Sequence, residues 1–148
     1  ISAVDFQDYT EQLISYLRST FSLPNKEVEV KVEANSIQLD IDTAVPLGLI
    51  INEIITNSYK YAFIEVDKPK IDIVLKESQS MKGILNLSIR DNGPGLDPNV
   101  EFEKTTSLGL KLVRMLSRQL DGKVIYENKG GAYFNIQISN TELRKKLD

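Results

Sequence analysis

The residues whose types and spacing could do chemistry begin with Asn52-Glu53-Ile54-Ile55-Thr56-Asn57-Ser58-Tyr59-Lys60-Tyr61-Ala62. On a helix, at about 100° per residue, Glu53, Asn57 and Lys60 share a narrow arc with Tyr61 at its edge. An acid, an amide and an ammonium group then face one way. Leu47, Ile51, Ile54, Ile55, Ser58 and Ala62 fall on the neighbouring arc, an apolar and small-residue face suited to packing on a sheet. A second cluster is Asp91-Asn92-Gly93-Pro94-Gly95. Its glycines let a strand end turn sharply and let a flat ligand approach the backbone, and Asp91 can accept a hydrogen bond from an exocyclic amine such as that of adenine. The third, Thr105-Thr106-Ser107-Leu108-Gly109-Leu110, is a loop entering a helix, where free amides and the helix dipole attract an anion. An amine acceptor, a phosphate seat and an amide oxygen for a hard divalent cation together describe a site for Mg-ATP. Each cluster alone has a plainer reading: an Asp-Asn-Gly-x-Gly run is usually a turn, and Glu53, Asn57 and Lys60 would most often be a solvated face. Their order along the chain, each at an element boundary, favours the joint reading.

The elements that must position these clusters are readable from periodicity. Phe6, Tyr9, Leu13, Tyr16 with Leu17, and Thr20 predict a helix from Asp5, its N-cap, to Phe21, stopped before Pro24. Glu27 to Glu33 alternates charged and apolar residues, a strand with one wet face, and Ile37 to Ile41 is its expected hairpin partner across Asn35-Ser36. Asp42-Thr43 should cap the long helix, with Pro46 in its first turn. Gly48 costs that helix about 1 kcal/mol relative to alanine, which points either to a close packing contact or to a merely tolerated glycine. Lys70–Lys76 and Ile84–Arg90 are further strands, and residues 97–106 form a loop of little periodicity. Ser107 caps a helix to Leu120 with the stripe Leu108, Leu112, Met115, Leu116 and Leu120. Lys123–Glu127 and Ala132–Ile138 close a hairpin around Asn128-Lys129-Gly130-Gly131, before a charged tail from Thr141. The expected class is α+β: a two-layer sandwich with a mixed, mostly antiparallel sheet and helices on one face.

Composition bounds the function. The chain has 148 residues, 41% hydrophobic and 26% charged, which suits one soluble globular domain. No apolar run reaches the roughly 20 residues of a membrane helix, so a cytoplasmic protein, or the cytoplasmic piece of a membrane-anchored one, is expected. There is no cysteine and no histidine, which removes thiolate metal sites, disulfides, Ser-His-Asp chemistry and the commonest general base. A net charge of −3 offers no basic field, so nucleic acid is not an expected partner.

Taken together, the motifs resemble the ATP-binding catalytic domain of sensor histidine kinases, within the superfamily that includes gyrase, the Hsp90 chaperones and the MutL repair proteins. Asn52-Glu53-x-x-x-Asn57-x-x-Lys60-Tyr61-Ala62 resembles the family's N box, and Asp91-Asn92-Gly93-Pro94-Gly95 its first glycine box. Ser107-Leu108-Gly109-Leu110 resembles the second glycine box, and Gly131-Ala132-Tyr133-Phe134-Asn135-Ile136 the closing strand. The likeness runs from about Glu27 onward, and the wording Pro46 to Glu53 is similar to the HisKA_2 or HWE-like subclass. It implies a Bergerat-type fold with ATP and Mg²⁺ as ligands. Asn57 matches the asparagine that holds Mg²⁺, Lys60 a basic residue meeting the phosphates, and Tyr61 a residue lying along the adenine. Asp91 matches the reader of the adenine amine, with Gly93 and Gly95 shaping that wall. Thr106, Ser107, Leu108 and Gly109 match the phosphate-side segment, and residues 97–106 the lid. Glu53 has the spacing of the glutamate that activates water in ATP-hydrolysing relatives; in a kinase it would support the metal or orient the acceptor.

Two departures stand out. Ser107 replaces a usual glycine. Ala132 replaces a usual threonine and so removes a hydroxyl near the adenine, a loss of about 0.5–1.5 kcal/mol that predicts weaker binding rather than none. The resemblance also implies partners: a histidine-bearing dimerisation domain, from which residues 1–24 would be the connector helix to an ATP-binding domain over 25–148, and a response regulator downstream. The chain would then be a monomeric fragment of a homodimeric parent, able to bind Mg-ATP but not to phosphorylate itself. Alternatives within the superfamily are an ATPase switch, an anti-sigma serine kinase and a non-catalytic nucleotide-binding regulator.

Overall fold

Strand alternation and helical periodicity are resolved into a five-stranded sheet, a small two-stranded one and the helices that pack on them in a computed structural model, which describes residues 3–34, 36–104 and 107–139. In chain order the elements are β1 Ala3–Asp5, α1 Phe6–Thr20, β2 Glu29–Glu33, β3 Gln38–Asp40 and α2 Ile41–Asn57. A π-helical turn, Ser58–Ala62, follows. Then come β4 Lys70–Glu77, β5 Ile84–Asp91, a 3₁₀ turn Phe102–Lys104, α3 Leu108–Gln119, β6 Lys123–Asn128 and β7 Ala132–Ser139. The main sheet has the order β2-β4-β5-β7-β6. Only β2–β4 is parallel; the other three pairings are antiparallel. Along β4, β5 and β7 alternate residues are buried. Ile73 pairs with Ile89, and Ile89 with Phe134, all three buried, so one sheet face forms the floor of the core. This is the α+β sandwich expected. Among the described residues no helix is long and apolar enough to cross a membrane.

The start of the chain differs from the expected hairpin. β2 does not pair with β3; it runs parallel to β4 across the α2 connection, as parallel strands require. β3 pairs instead with β1, a short strand the periodicity did not reveal, with Val4 opposite Leu39. The hairpin turn included Asn35, which lies outside the described residues, as does the tail from Thr141. The α2 cap is Asp40 rather than Asp42-Thr43: its Oδ1 accepts from the Thr43 N–H at 3.2 Å, which makes Ile41 the first helical residue. Pro46 therefore sits beyond the first turn. The carbonyl it leaves without an intrahelical partner belongs to Asp42, which is exposed to water. α1 is capped by Asp5 as expected, with Oδ1 accepting from Asp8 N–H at 3.1 Å. Its buried face is Phe6, Thr10, Ile14 and Leu17, while Tyr16 is exposed. Gly48 is a packing glycine: a Cβ there would lie 2.6 Å from the Tyr9 hydroxyl, so α1 and α2 meet at van der Waals distance only without a side chain.

Helix α3 keeps only part of the predicted stripe: Leu116 is buried and Leu112 and Leu120 pack against the core, but Leu108 is 82% and Met115 63% exposed, and Leu110, Val113 and Ser117 take the buried face instead. Both sets recur at helical spacing, so periodicity could not choose between them. The choice follows from the helix start, where Gly109 must face α2.

Candidate functional site

The C-terminal end of α2, its π-helical turn, the β5 end, the α3 start and the start of β7 converge on one cleft of about 330 Å³. Its floor and sides are apolar, from Ile54, Ala62, Leu96, Val100, Leu110 and Phe134. Polar groups enter at Asn57, Ser58, Tyr61, Asp91 and Ser107. A slot with apolar walls and few fixed polar groups suits a flat ring bearing a polar edge.

Asp91 ends β5 and is only 5% exposed. A buried carboxylate must be hydrogen-bonded, and three donors meet this one. Oδ1 accepts from the backbone N–H of Gly93 at 3.0 Å and of Ala132 at 3.1 Å, and Oδ2 from the Ser58 hydroxyl at 2.8 Å. The residues after Asp91 are held just as firmly. Asn92 Oδ1 accepts from Lys70 N–H at 2.8 Å, and its Nδ2 donates to the Lys68 carbonyl at 2.8 Å, which ties the loop to the start of β4. Asn128 Nδ2 donates to the Pro94 carbonyl at 2.9 Å, and Leu96 N–H donates to the Tyr126 hydroxyl at 2.7 Å. Gly93 abuts the π-helical turn, where an added Cβ would stand 2.6 Å from the Ala62 carbonyl oxygen. Gly95, at φ +80°, packs on Asn128 and Tyr126. Gly131, at φ +140°, lets β7 pass so near that a Cβ would fall 2.0 Å from the Asp91 carbonyl oxygen; no side chain fits there.

At the other end, the first N–H groups of α3 have no intrahelical acceptor and add the positive end of the helix dipole. Ser107 holds the N-cap position, with its carbonyl accepting from Lys111 N–H at 2.9 Å. Gly109 stands against α2: a Cβ would lie 2.7 Å from Glu53 Oε2 and 3.9 Å from Asn57 Nδ2. Glu53, Asn57 and the α3 start are therefore neighbours, both side chains half-buried. Among the described residues no three acids cluster to cage a cation. The Asn57 amide and the Glu53 carboxylate are oxygen-bearing groups at this end of the cleft, the donor type that a hard divalent cation takes. The loop before α3 is anchored by Phe102, buried against Tyr126 and Phe134 at ring-centroid distances of 6.2 and 5.6 Å. Arg114 donates to the Phe102 carbonyl at 2.6 Å and lies over the Phe102 ring.

Of the residues singled out in the sequence, Asn57, Tyr61, Asp91, Gly95, Ser107 and Ala132 line the cleft. Gly93 supports its wall from behind, and Gly109 and Glu53 meet at the end nearest the α3 start. Lys60 is exposed beside the cleft rather than in it, because the π-helical turn breaks the 100° progression of α2. Tyr61 lines the cleft yet is 70% exposed. Leu108 points away into solvent and does not line the cleft. Thr106 lies outside the described residues. Sequence reasoning placed Ser58 on the apolar packing face and missed its bond to Asp91. The available signal was a lone hydroxyl among Leu47, Ile51, Ile54, Ile55 and Ala62. Tyr126 and Asn128 were missed as well, because nothing local in a hairpin tells which loop it will brace.

A profile of the family described as histidine kinase-, DNA gyrase B-, and HSP90-like ATPase matches residues 42–142. The chain is similar to blue-light-activated histidine kinase 2 of Erythrobacter litoralis, 27% identical over 112 residues that cover 75% of this chain and 32% of the relative. It is also similar to the sensor histidine kinase PdtaS of Mycobacterium tuberculosis, 33% identical over 87 residues, 58% of this chain and 17% of that protein. It thus spans a third or less of these curated relatives. Among solved structures, the histidine kinase domain of the Erythrobacter litoralis EL346 blue-light activated kinase superposes with a TM-score of 0.81 at 22% identity, over 96% of this chain and 64% of that one. The catalytic domain of histidine kinase ThkA gives 0.71 at 16% identity, over 94% and 96%. At these identities the superpositions speak to the fold.

Proposed function

Because this chain belongs to the histidine kinase-, DNA gyrase B-, and HSP90-like ATPase family, we propose that its cleft binds Mg-ATP and that the chain is the catalytic domain of a sensor histidine kinase. The observation that carries this reading is Asp91: a buried carboxylate with both Oδ1 positions filled and one Oδ2 position open to an apolar slot. That arrangement accepts one N–H from the edge of a flat ring, as the adenine amine provides. A ring seated there directs its phosphates toward the α3 start, where Gly109 stands against Glu53 and Asn57 and the first helical N–H groups lack an intrahelical acceptor.

Phosphoryl transfer asks the protein mainly for positioning and charge neutralisation. Here the α3 amides orient the phosphate oxygens, Lys60 adds a cation at the rim, and the Asn57 amide oxygen would hold the magnesium ion, which when bound neutralises phosphate charge. Glu53, half-buried against Gly109, supports that ion or orients the incoming acceptor. The chain contains no histidine, so the acceptor belongs to a separate dimerisation domain. Residues 1–24 serve as the connector from it, and a response regulator takes the phosphoryl group onward. Dimerisation resides in that separate domain, and this chain is monomeric and cytoplasmic. Labelled ATP, Mg²⁺ and a supplied dimerisation domain should give acid-labile phosphohistidine; transfer to no cognate helical domain would overturn the kinase assignment. Calorimetry without binding at millimolar nucleotide would overturn the nucleotide site itself. A hydrolytic reading rests on Glu53 and requires steady phosphate release that Glu53→Gln abolishes.

A further inference from the structure

The three donors on Asp91 are not equivalent. Two are backbone N–H groups on Oδ1, from Gly93 and Ala132, and they occupy both of its lone pairs. The third is a side chain, the Ser58 hydroxyl on Oδ2 at 2.8 Å. Among the described residues no other side chain donates to Asp91, and the alanine at position 132 has no hydroxyl to offer. Ser58 is 4% exposed and borders the cleft beside Asp91. Its single proton faces two acceptors, since the Ile54 carbonyl lies 3.3 Å away. The shorter bond to an ionised group is the stronger, so the proton goes to Asp91. The Ile54 bond is only the weak back-bond of a helical serine.

We propose that Ser58 is the positioning residue that makes Asp91 a one-donor acceptor and thereby sets the preference for a purine with an exocyclic amine over one with a carbonyl at the same place. The proposal rests on the nucleotide reading of the cleft. With the hydroxyl in place, one Oδ2 position remains, and only a ligand donor can fill it; a ligand carbonyl would set oxygen against oxygen. Without the hydroxyl, Oδ2 has two open positions and the carboxylate can rotate about its last bond. A water held by Oδ2 can then also donate to a ligand carbonyl, and discrimination weakens.

The test is calorimetric titration of this chain with Mg-ATP and with Mg-inosine triphosphate, which carries a carbonyl where ATP has its amine. Wild type should prefer ATP. Ser58→Ala should weaken ATP binding about three- to tenfold, the range of one typical net hydrogen bond, and lower the ATP-to-inosine preference by a similar factor. Ser58→Cys, whose thiol is a weak donor of similar shape, should fall between and serves if the alanine variant does not fold. A merely structural serine would change stability or both affinities together and leave the ratio alone, so an unchanged ratio overturns the proposal while the nucleotide site stands. If wild type binds neither nucleotide, the site reading falls and this proposal falls with it.

Discussion

Replacing Gly93 by alanine tests whether the β5 end and the π-helical turn are fitted to each other. The added methyl would sit 2.6 Å from the Ala62 carbonyl oxygen and 2.7 Å from the Ala62 Cβ. Ordinary contacts begin near 3.4 Å, so the two backbones must part by about 0.8 Å. Neither partner is a flexible side-chain end, and overpacking of this kind costs roughly 1–3 kcal/mol. For a chain of this size that lowers the melting temperature by about 3–10 °C. The displacement also reaches the ligand site, because Gly93 N–H donates to Asp91 Oδ1 at 3.0 Å and a shift of that size stretches the bond beyond hydrogen-bonding range. Mg-ATP affinity should then fall about three- to tenfold. Gly109→Ala is the contrast: its methyl would meet Glu53 Oε2 at 2.7 Å, the end of a flexible side chain. Its melting temperature should stay within about 2 °C of wild type while ATP affinity falls about tenfold as Glu53 is displaced. Thermal melts by circular dichroism and calorimetric titrations read both quantities. A Gly93→Ala protein that melts and binds as wild type does would refute the fitted-wall reasoning.

Three further outcomes follow from the same geometry. Leu110→Ala should cost about 2–5 kcal/mol and Leu108→Ala less than about 0.5 kcal/mol, because the first is buried and the second exposed; equal losses in urea melts would contradict this orientation of α3. Lys60→Ala should leave stability within about 0.5 kcal/mol but weaken Mg-ATP binding and flatten its salt dependence, read by titration at two ionic strengths. Burial pushes the Tyr59 phenol above its ordinary value of 10, against the opposing pull of Arg18. Its folded value is raised, so its contribution is complete below pH 10 and is lost as pH climbs through that higher value. Tyr59→Phe should remove this part of the alkaline loss of stability, and superimposed pH–stability curves for the two proteins would contradict it.

Local pattern went far in this chain because its chemistry sits at element boundaries. The run Asp91 to Gly95, the start of α3 and the face of Glu53 and Asn57 were legible as spacing, since a strand end, a helix N-terminus and a 3.6-residue repeat are local facts. Helix α1 with its Asp5 cap, α2, and the strands β4, β5, β6 and β7 were legible for the same reason. Pairing was not: the alternation of Glu27 to Glu33 marks a strand but names no partner, and β2 found β4 across a helix rather than β3 across a turn. Nor could periodicity orient α3, because Leu108–Met115 and Leu110–Val113–Ser117 are equally helical sets. Where Gly109 meets Glu53 made that choice. Ser58 is the sharpest case. In the sequence it is a small residue on an apolar arc; only when the β5 end lies over the π-helical turn does its hydroxyl come within 2.8 Å of Asp91. The residue types and their order determined what chemistry was available, and tertiary structure decided which groups share a lone pair, because hydrogen bonds between distant residues are set by how whole elements pack.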